Sequence, residues 1–371
     1  MTRSLITTEG DSLLVGEMPA GCQMCARGSK MVLFVTGECD SACLYCPLSQ
    51  EKSGVDVVFA DEMPVHDDSD IIEELNAIGA EGAGLSGGDP LCQLDRTLNY
   101  IRLLKSHSGK GIHIHLYTSE SDAEPEVIRS LYEAGLDEIR FHPRNDDWSA
   151  IEAAVDLGMA VGIELPVIPG EVESLKRSAR RAEDIGVAFL NINELESSET
   201  NFDSLRSLGL KLRSMESAAI DGSAEAADVF IKWAAENLES MSVHYCSARF
   251  KDAVQMRNRL ERRLVRTIRE FEERDEDDPI LILGLIRAPF GNELDDEQLV
   301  QIQHILENEF DVPPSLMNND YSRRRIEIAG WVLSEIAKSL RESITDGHSL
   351  EIGIAFEYPS WDRLQTLFEP L

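Results

Sequence analysis

Apolar runs alternate with amphipathic stretches along the first half of the chain, which predicts repeated strand–helix units. We expect six strands, at Met31–Thr36, Gly82–Ser86, Ile112–Tyr117, Glu138–His142, Ala160–Val167 and Val187–Glu194. The helices between them are expected at Ser69–Gly79, Leu91–Ser106, Glu124–Ala134, Trp148–Leu157 and Glu171–Ile185. Strands and helices that alternate at this spacing form right-handed βαβ units around a parallel sheet. The pattern therefore indicates an α/β fold, either an open barrel or a doubly wound sheet.

The pattern changes after residue 222. A helix at Ala224–Leu238 and a long basic helix from Lys251 to about Arg269 precede the acidic run 270–278. Beyond it we expect strands at Ile280–Ile286, Arg325–Ala329 and Leu350–Phe356, with helices at Asp295–Glu309 and Trp331–Glu342. We therefore divide the chain into an N-terminal extension (1–28), an α/β domain with its following helices (29–264) and a small α+β domain (265–371).

The 371 residues include 68 Asp and Glu against 35 Lys and Arg, a net charge of −33, and nine of the basic residues are Lys. An acidic, Lys-poor surface is typical of halophilic proteins, because concentrated salt screens its repulsion; the alternative is a cationic partner. The charge argues against nucleic-acid binding by the body of the protein. The longest apolar run, Pro279–Ile286, is too short to span a membrane, and residues 1–10 lack a signal-peptide core. We expect a cytoplasmic protein.

Three of the seven cysteines lie directly after the first predicted strand, in Cys39-Asp-Ser-Ala-Cys43-Leu-Tyr-Cys46. In a reducing compartment, clustered cysteines indicate metal binding or catalysis rather than disulfides. Three thiolates on one short loop suit an iron–sulfur cluster, which ordinarily has four cysteine ligands, so that one iron stays open. A zinc site that lacks its fourth ligand is the alternative.

A glycine-rich run, Gly84-Leu-Ser-Gly-Gly-Asp-Pro90, forms the end of the second predicted strand and the residues after it. The three cysteines, with Tyr45 before the last, resemble the signature loop of radical SAM enzymes. The glycine-rich run resembles the Gly-Gly-Glu-Pro motif of that superfamily, with Asp89 in place of its Glu. Within the superfamily the chain is similar to an uncharacterised archaeal group related to pyruvate formate-lyase activating enzymes. The resemblance covers roughly residues 30–200.

The resemblance implies a partial (β/α)6 barrel with a [4Fe–4S] cluster on Cys39, Cys43 and Cys46. It implies that S-adenosylmethionine (SAM) is reductively cleaved to a 5′-deoxyadenosyl radical, which abstracts hydrogen from a substrate. It also implies a small electron donor such as ferredoxin or flavodoxin. Gly87, Gly88 and Asp89 would bind SAM, because glycines without a Cβ let backbone carbonyls approach its ammonium group. A plain turn at the strand end is the alternative for the glycines.

Several predicted strands carry polar residues on one face, although parallel strands buried on both faces are usually apolar throughout. Alternating side chains allow the apolar face to cover helices while the polar face lines an interior. By analogy with the family, the residues expected near SAM are Thr118, Arg140 and Glu164, with Arg140 on its carboxylate. The residues expected to face the substrate, as catalytic candidates, are His115, His142 and Asn193. The alternative is that these polar groups face solvent or pair among themselves.

A second cysteine set consists of Cys22 and Cys25, before the first predicted strand, together with His244 and Cys246. These residues could bind zinc or an auxiliary iron–sulfur cluster, and thus provide a second metal site. A redox-active thiol pair and ordinary buried thiols are the alternatives.

The segment 249–269 holds eight basic residues against two acidic ones in a strongly acidic chain. An anionic partner, such as a phosphate-bearing substrate or RNA, is one explanation. Packing of this helix against acidic surface is the other, and we favour it, because no aromatic residue lies between Phe250 and Phe271 to stack on bases.

The leading functional hypothesis is a radical SAM enzyme of unknown substrate. One subclass activates a glycyl radical enzyme, and another modifies RNA or a phosphorylated metabolite. A non-catalytic iron–sulfur electron-transfer protein belongs to a different class, and the Gly87-Gly88-Asp89 motif argues against it, since electron transfer requires no SAM pocket.

Overall fold

Seven parallel strands form the centre of the main sheet, with short antiparallel strands at both edges. The structure is a computed structural model and describes residues 2–343 and 350–371. The chain divides into two units, Met1–Arg259 and Leu260–Leu371. This division lies within the predicted basic helix, and residues of the predicted N-terminal extension belong to the first unit.

The strands of the first unit are β1 (Leu5–Thr7), β2 (Leu13–Val15), β3 (Lys30–Phe34), β4 (Phe59–Ala60), β5 (Met63–Pro64), β6 (Gly82–Ser86), β7 (His113–Thr118), β8 (Glu138–Phe141), β9 (Ala160–Val167), β10 (Phe189–Glu194), β11 (Leu212–Ser214), β12 (Ser217–Ile220) and β13 (Ser242–Cys246). Its helices are α1 (Ala20–Ala26), α2 (Asp68–Ala77), α3 (Leu94–Ser108), α4 (Pro125–Ala134), α5 (Ser149–Asp156), α6 (Val172–Ile185), α7 (Phe202–Ser207), α8 (Ser223–Asn237) and α9 (Ala248–Phe250). A π-helical turn, Lys251–Met256, joins α9 to α10 (Arg257–Thr267). All six predicted strands are present, and β13 is a seventh parallel strand that the sequence pattern did not predict.

The strand order distinguishes between the two predicted sheet types. The parallel strands follow one another as β3-β6-β7-β8-β9-β10-β13, so each new strand is added at the same edge. A doubly wound sheet would instead reverse its direction at a switch point. The order is therefore that of a partial barrel, and the predicted α/β fold is confirmed.

The predicted alternation of side chains is also confirmed. Ile114, Leu116, Ile139, Phe141 and Ile192 are fully buried in the main apolar core. Their polar neighbours along the strands lie on the opposite face, where helix α1 also packs. A Cβ on Gly21 of α1 would lie 2.6 Å from Arg140 Nη2 and 2.9 Å from the His115 ring. Helix α1 thus fills part of the barrel interior.

The second unit is an antiparallel sheet with two helices. Its elements are β14 (Glu273–Arg274), β15 (Leu281–Arg287), α11 (Asp296–Glu309), β16 (Met317–Asp320), β17 (Arg325–Ile328), α12 (Gly330–Ser343), β18 (Glu351–Glu357) and β19 (Gln365–Pro370). The order β16-β17-β15-β18 is that of the ferredoxin-like βαββαβ arrangement, extended by β19. In the part of the chain that the structure describes, no helix is both long and apolar enough to cross a bilayer.

Candidate active site

The signature cysteines (Cys39, Cys43 and Cys46) lie on the loop that follows β3. Cys39 is exposed, the other two are half-buried, and all three are free thiols. They line one cavity of about 450 Å³ at the carboxyl ends of the strands, which we call the cluster cavity. Burial raises the pKa of the Cys43 thiol, although the guanidinium of Arg144 opposes this effect. Arg144 Nη1 donates a hydrogen bond of 2.7 Å to Cys43 Sγ.

Gly87 and Gly88 hold the start of the signature loop against the end of β6. A Cβ on Gly87 would lie 2.3 Å from the Thr36 carbonyl oxygen, and one on Gly88 would lie 2.2 Å from that of Glu38. Gly87 also has a φ of +149°, which L side chains rarely adopt. The Gly88 amide donates to Thr36 O at 2.8 Å. The structure therefore requires these glycines for packing within the chain, and both also line the cluster cavity.

Asp89 is almost fully buried and joins the ends of β6 and β7. Its carboxylate accepts hydrogen bonds from the Thr118 hydroxyl at 3.0 Å, from the Ser119 amide at 2.7 Å and from the Leu91 amide at 3.0 Å. Both Thr118 and Ser119 line the cluster cavity. Asp89 thus holds part of the cavity wall in place through its hydrogen bonds with Thr118 and Ser119.

Arg140 crosses the barrel interior and has several protein partners. Its Nε donates to Glu138 Oε1 at 2.6 Å, and its Nη1 to the Tyr117 hydroxyl at 3.2 Å and Glu164 Oε2 at 3.4 Å. Its Nη2 donates to Cys22 Sγ at 3.5 Å. Arg140 also lines the cluster cavity, so its position agrees with the predicted site, although its guanidinium is already paired.

A second cavity of about 500 Å³, the inner cavity, adjoins the cluster cavity, and Cys43 and Cys46 line both. Its wall includes His142, Glu164 and Asn193. Asn193 Nδ2 donates to Glu164 Oε1 at 2.7 Å. The His142 ring lies between the Tyr45 hydroxyl, 2.7 Å from Nε2, and the Glu164 carbonyl, 2.8 Å from Nδ1. Burial lowers the pKa of His142, which favours a neutral imidazole.

His115 lies away from this group of residues. It is fully buried, and its ring packs against Gly21, Gly84 and Lys30. Neither the cluster cavity nor the inner cavity has His115 in its wall. Burial, together with Lys30 and Arg140, lowers its pKa well below the usual value.

The second cysteine set does not form the second metal site that was one of its three interpretations. Cys22 Sγ accepts from Arg140 and, at 3.2 Å, from Asn191 Nδ2. Burial alone would raise the pKa of Cys22, but Arg140 and His244 outweigh it and lower the pKa to about 7. Among residues 2–343 and 350–371, no three His, Cys, Asp or Glu side chains are arranged to hold one metal ion. The prediction of a second metal is therefore not supported.

Among the residues that the structure describes, the signature cysteines are likewise not arranged around a single ion. A [4Fe–4S] cluster is bound through one ligand on each iron, so its cysteines surround a cluster and not a point. The thiols line one cavity, and the Arg144 guanidinium donates a hydrogen bond to Cys43 Sγ. This donor set fits a [4Fe–4S] cluster.

Sequence reasoning missed two charged residues beside these cavities. Arg144 was not singled out, although it comes only two residues after His142 at the carboxyl end of β8. Lys251, which was noted only as part of the basic helix, lines the inner cavity and forms an ion pair with Glu196. A search for basic residues just beyond each strand end would have found Arg144.

Several charges of the basic segment are paired within the chain. Arg249 contacts Asp11 at 2.8 Å, and Arg259 contacts Asp61 at 2.5 Å. Arg269 contacts both Glu272 and Glu327 at 2.5 Å. These ion pairs agree with the explanation that the helix packs against acidic residues.

Comparison with known proteins extends this picture. Residues 33–182 match the model of the Radical SAM superfamily. The chain is 35% identical over 308 residues, 80% of each chain, to the putative glycyl-radical enzyme activating enzyme of Methanocaldococcus jannaschii. A radical S-adenosylmethionine methyltransferase from Kitasatospora setae superposes with a TM-score of 0.37 at 15% identity, over 50% of this chain and 40% of that one.

Coproporphyrinogen III oxidase from Escherichia coli, a radical SAM enzyme, superposes with a TM-score of 0.36 at 12% identity, over 65% of this chain and 58% of that one. The predicted family is confirmed by the match to the family model and by the 35% identical relative. The chain belongs to the radical SAM superfamily and is an enzyme of that superfamily.

Proposed function

We propose that this enzyme generates a 5′-deoxyadenosyl radical and uses it to abstract hydrogen from a glycine of a partner protein. A [4Fe–4S] cluster on Cys39, Cys43 and Cys46, with SAM bound to it, would supply the radical upon one-electron reduction. The observation that carries the proposal is the cluster cavity, whose wall combines the three thiols with Gly87 and Gly88.

The chain's own residues would shape and close this cavity. Asp89 fixes Thr118 and Ser119, so the hydroxyls beside the cofactor are held before it binds. Arg140 holds Glu164 and Tyr117, and Glu164 in turn orients Asn193. We therefore assign Arg140 a positioning role beside its predicted contact with SAM. Fixed donors reduce the reorganisation that cofactor binding would otherwise need.

His142 and Asn193 remain the candidates that face the substrate, because both line the inner cavity. His142 is held between Tyr45 and the Glu164 backbone, so it presents a fixed ring rather than a mobile base. His115 is not part of this proposal, since it lies beneath α1.

A groove with both apolar and polar residues in its wall supports a peptide substrate, because a peptide offers side chains and backbone groups to both. The groove has a volume of about 430 Å³, and its wall includes Ile168, Pro169, Leu208 and Leu210. It shares Tyr45, Leu165 and Pro166 with the inner cavity, so an extended peptide lying along it would reach toward the signature loop. The name of the 35% identical relative, an activating enzyme for a glycyl-radical enzyme, points to the same class of substrate.

Anaerobic reconstitution tests the radical chemistry. The protein is loaded with iron and sulfide, mixed with SAM and dithionite, and assayed for 5′-deoxyadenosine by mass spectrometry. We expect the wild type to form this product and Cys43→Ala to form none. A wild-type protein with an intact cluster that leaves SAM uncleaved would refute the proposal.

The substrate class requires a second assay. Glycine-containing peptides that carry deuterium at the glycine Cα are added to the same reaction, with free deuterated glycine as the control compound. We expect deuterium in the 5′-deoxyadenosine from peptides only. Leu208→Glu should lower that transfer, whereas Val229→Glu should not, and both side chains are 54% exposed in the wild type. Equal transfer from peptide and free glycine would contradict a peptide substrate.

A further inference from the structure

A fourth cavity, of about 440 Å³, is basic although the protein carries a net charge of −33. It is lined by Arg144 from the segment after β8 and by Arg177 and Arg181 from α6, and we call it the arginine groove. One carboxylate, that of Asp146, belongs to the described lining. The local charge is therefore opposite in sign to that of the whole chain.

The arginines of this groove differ in exposure and in the contacts that hold them. Arg144 and Arg177 are exposed, and Arg177, after Lys176, helps to lower the pKa of the Glu173 carboxyl on the same helix. Arg181 is held in place by the Asp146 carbonyl, 2.9 Å from Nη2, and by the Trp148 ring, 4.3 Å from its guanidinium carbon. The groove thus combines an arginine held by backbone and ring contacts, Arg181, with one that also contacts the signature loop, Arg144, and an exposed one, Arg177.

Arg144 connects the groove to the signature loop, because its Nη1 is 2.7 Å from Cys43 Sγ. The same side chain therefore faces solvent and contacts a predicted cluster ligand. A positive charge and an N–H donor at a cysteine sulfur favour the reduced state of an iron–sulfur cluster. Both features act on electron uptake rather than on hydrogen abstraction, which is the reason to assign the groove to the electron donor and not to the substrate.

We propose that the arginine groove is the docking surface for an acidic, ferredoxin-type protein that reduces the cluster. This inference rests on the proposed function, because it assumes the cluster at Cys39, Cys43 and Cys46. One electron passes from the reduced donor centre to the oxidised cluster, and no bond or proton changes place. Charge complementarity selects the partner: an acidic donor is repelled by most of this surface and attracted here.

The test measures cluster reduction in the reconstituted enzyme without SAM, by stopped-flow absorbance under anaerobic conditions. The reductants are an acidic [2Fe–2S] ferredoxin in its reduced state and the methyl viologen radical cation. In low salt, Arg177→Glu should slow reduction by ferredoxin by about tenfold, and it should leave reduction by the cationic viologen unchanged or faster. In 1 M salt the difference should disappear, since screening removes the attraction.

Arg180→Glu is the matched control. It makes the same charge change on the same helix, but Arg180 packs over the Trp233 ring of α8, 5.2 Å away, and is not part of the groove. Its rate with ferredoxin should stay within about twofold of wild type. Arg144→Gln should lower the cluster midpoint potential in an electron paramagnetic resonance titration, whereas Arg177→Glu should leave the midpoint unchanged.

Equal rates of cluster reduction by ferredoxin in wild type and Arg177→Glu would overturn the docking surface. So would a decrease of the same size in Arg180→Glu, or a decrease of the same size in Arg177→Glu when viologen is the reductant. If Arg177→Glu left ferredoxin reduction intact but lowered deuterium transfer from peptide, the groove would belong to the substrate protein instead. These outcomes are separate from failure of the proposed function, in which wild type with an intact, reduced cluster would leave SAM uncleaved.

Discussion

The polar residues inside the barrel form two groups that differ in what surrounds them. At the carboxyl ends of the strands, Thr118, His142 and Asn193 line cavities. Deeper in the sheet, His115 and Asn191 pack under α1. Both groups alternate in the same way along their strands, yet only the first meets open space.

The difference shows that polarity inside a barrel has two physical causes. At the carboxyl ends, polar side chains face a volume that a ligand can enter, as is usual for sites in βα-barrels. In the deeper layer, the buried Glu138 carboxylate pairs with Arg140, which extends from this layer to the wall of the cluster cavity, and hydrogen bonds from neighbours stabilise the pair. The two groups should therefore respond differently to substitution.

Replacing one cysteine in each region gives the largest expected contrast. Cys43→Ala removes a predicted cluster ligand, so reconstituted iron should fall to the level of protein that was not reconstituted. Cys22→Ala should keep its iron, because Cys22 accepts hydrogen bonds from Arg140 and Asn191 and is not in the cluster cavity. The measurement is iron and sulfide per chain. Equal iron loss in both variants would mean that the deeper layer also binds the cluster.

Two arginines provide the next contrast, this time in stability. Arg140→Leu leaves the buried Glu138 carboxylate without its main partner, which should cost about 3–5 kcal/mol in the free energy of unfolding. Arg144→Gln, at the exposed rim, should change it by less than about 0.5 kcal/mol. Chemical denaturation of the cluster-free proteins measures both. A small effect of Arg140→Leu would show that the deeper network contributes little to folding.

Much of the barrel could be predicted because its signals are local. Alternating apolar residues identified the six strands, and their polar partners identified the inner face. Short spacings in the sequence likewise identified the signature loop and the glycine-rich motif. The alternation of side chains shows, however, which face of the sheet a residue lies on and not how deep it lies in the barrel. The sequence therefore could not distinguish the buried His115 from His142, which lines a cavity.

The remaining features depend on contacts between distant segments. Cys22 and Asn191 are 169 residues apart along the chain, and Arg144 and Cys43 are 101 apart. Strand β13 has only five residues and is recognised by its parallel pairing with β10. Its two inner polar residues, His244 and Cys246, suggested a metal site as one alternative, because no pairing partner is visible in a single sequence.

Two tightly packed glycines, one in each region, give a smaller expected effect. Gly88→Ala places a Cβ against the Glu38 backbone, which cannot move without displacing Cys39, so it should cost about 1–3 kcal/mol and reduce cluster loading. In Gly21→Ala the new Cβ contacts the ends of the Arg140 and His115 side chains. This variant should lose stability but keep its cluster loading. Gly111→Ala, with no atom within 4 Å, is the control. Normal iron content in Gly88→Ala would show that the signature loop binds the cluster without close packing at Gly88.

The last expected effect concerns pH and the deeper layer alone. The pKa of Cys22 is 9.0 when unperturbed and about 7 in the folded protein, because Arg140 and His244 outweigh the effect of burial. Between pH 7 and 9 the unfolded chain therefore binds more protons, so the free energy of unfolding should rise with pH, by about 2 kcal/mol in total. This contribution is lost as the pH falls through 7.

Cys22→Ser should remove the slope, whereas Cys92→Ser should retain it, since burial raises the pKa of Cys92 to about 11, outside this window. Denaturation of cluster-free protein at several pH values measures the slope, and identical slopes in wild type and Cys22→Ser would show that Arg140 is not stabilised by a thiolate.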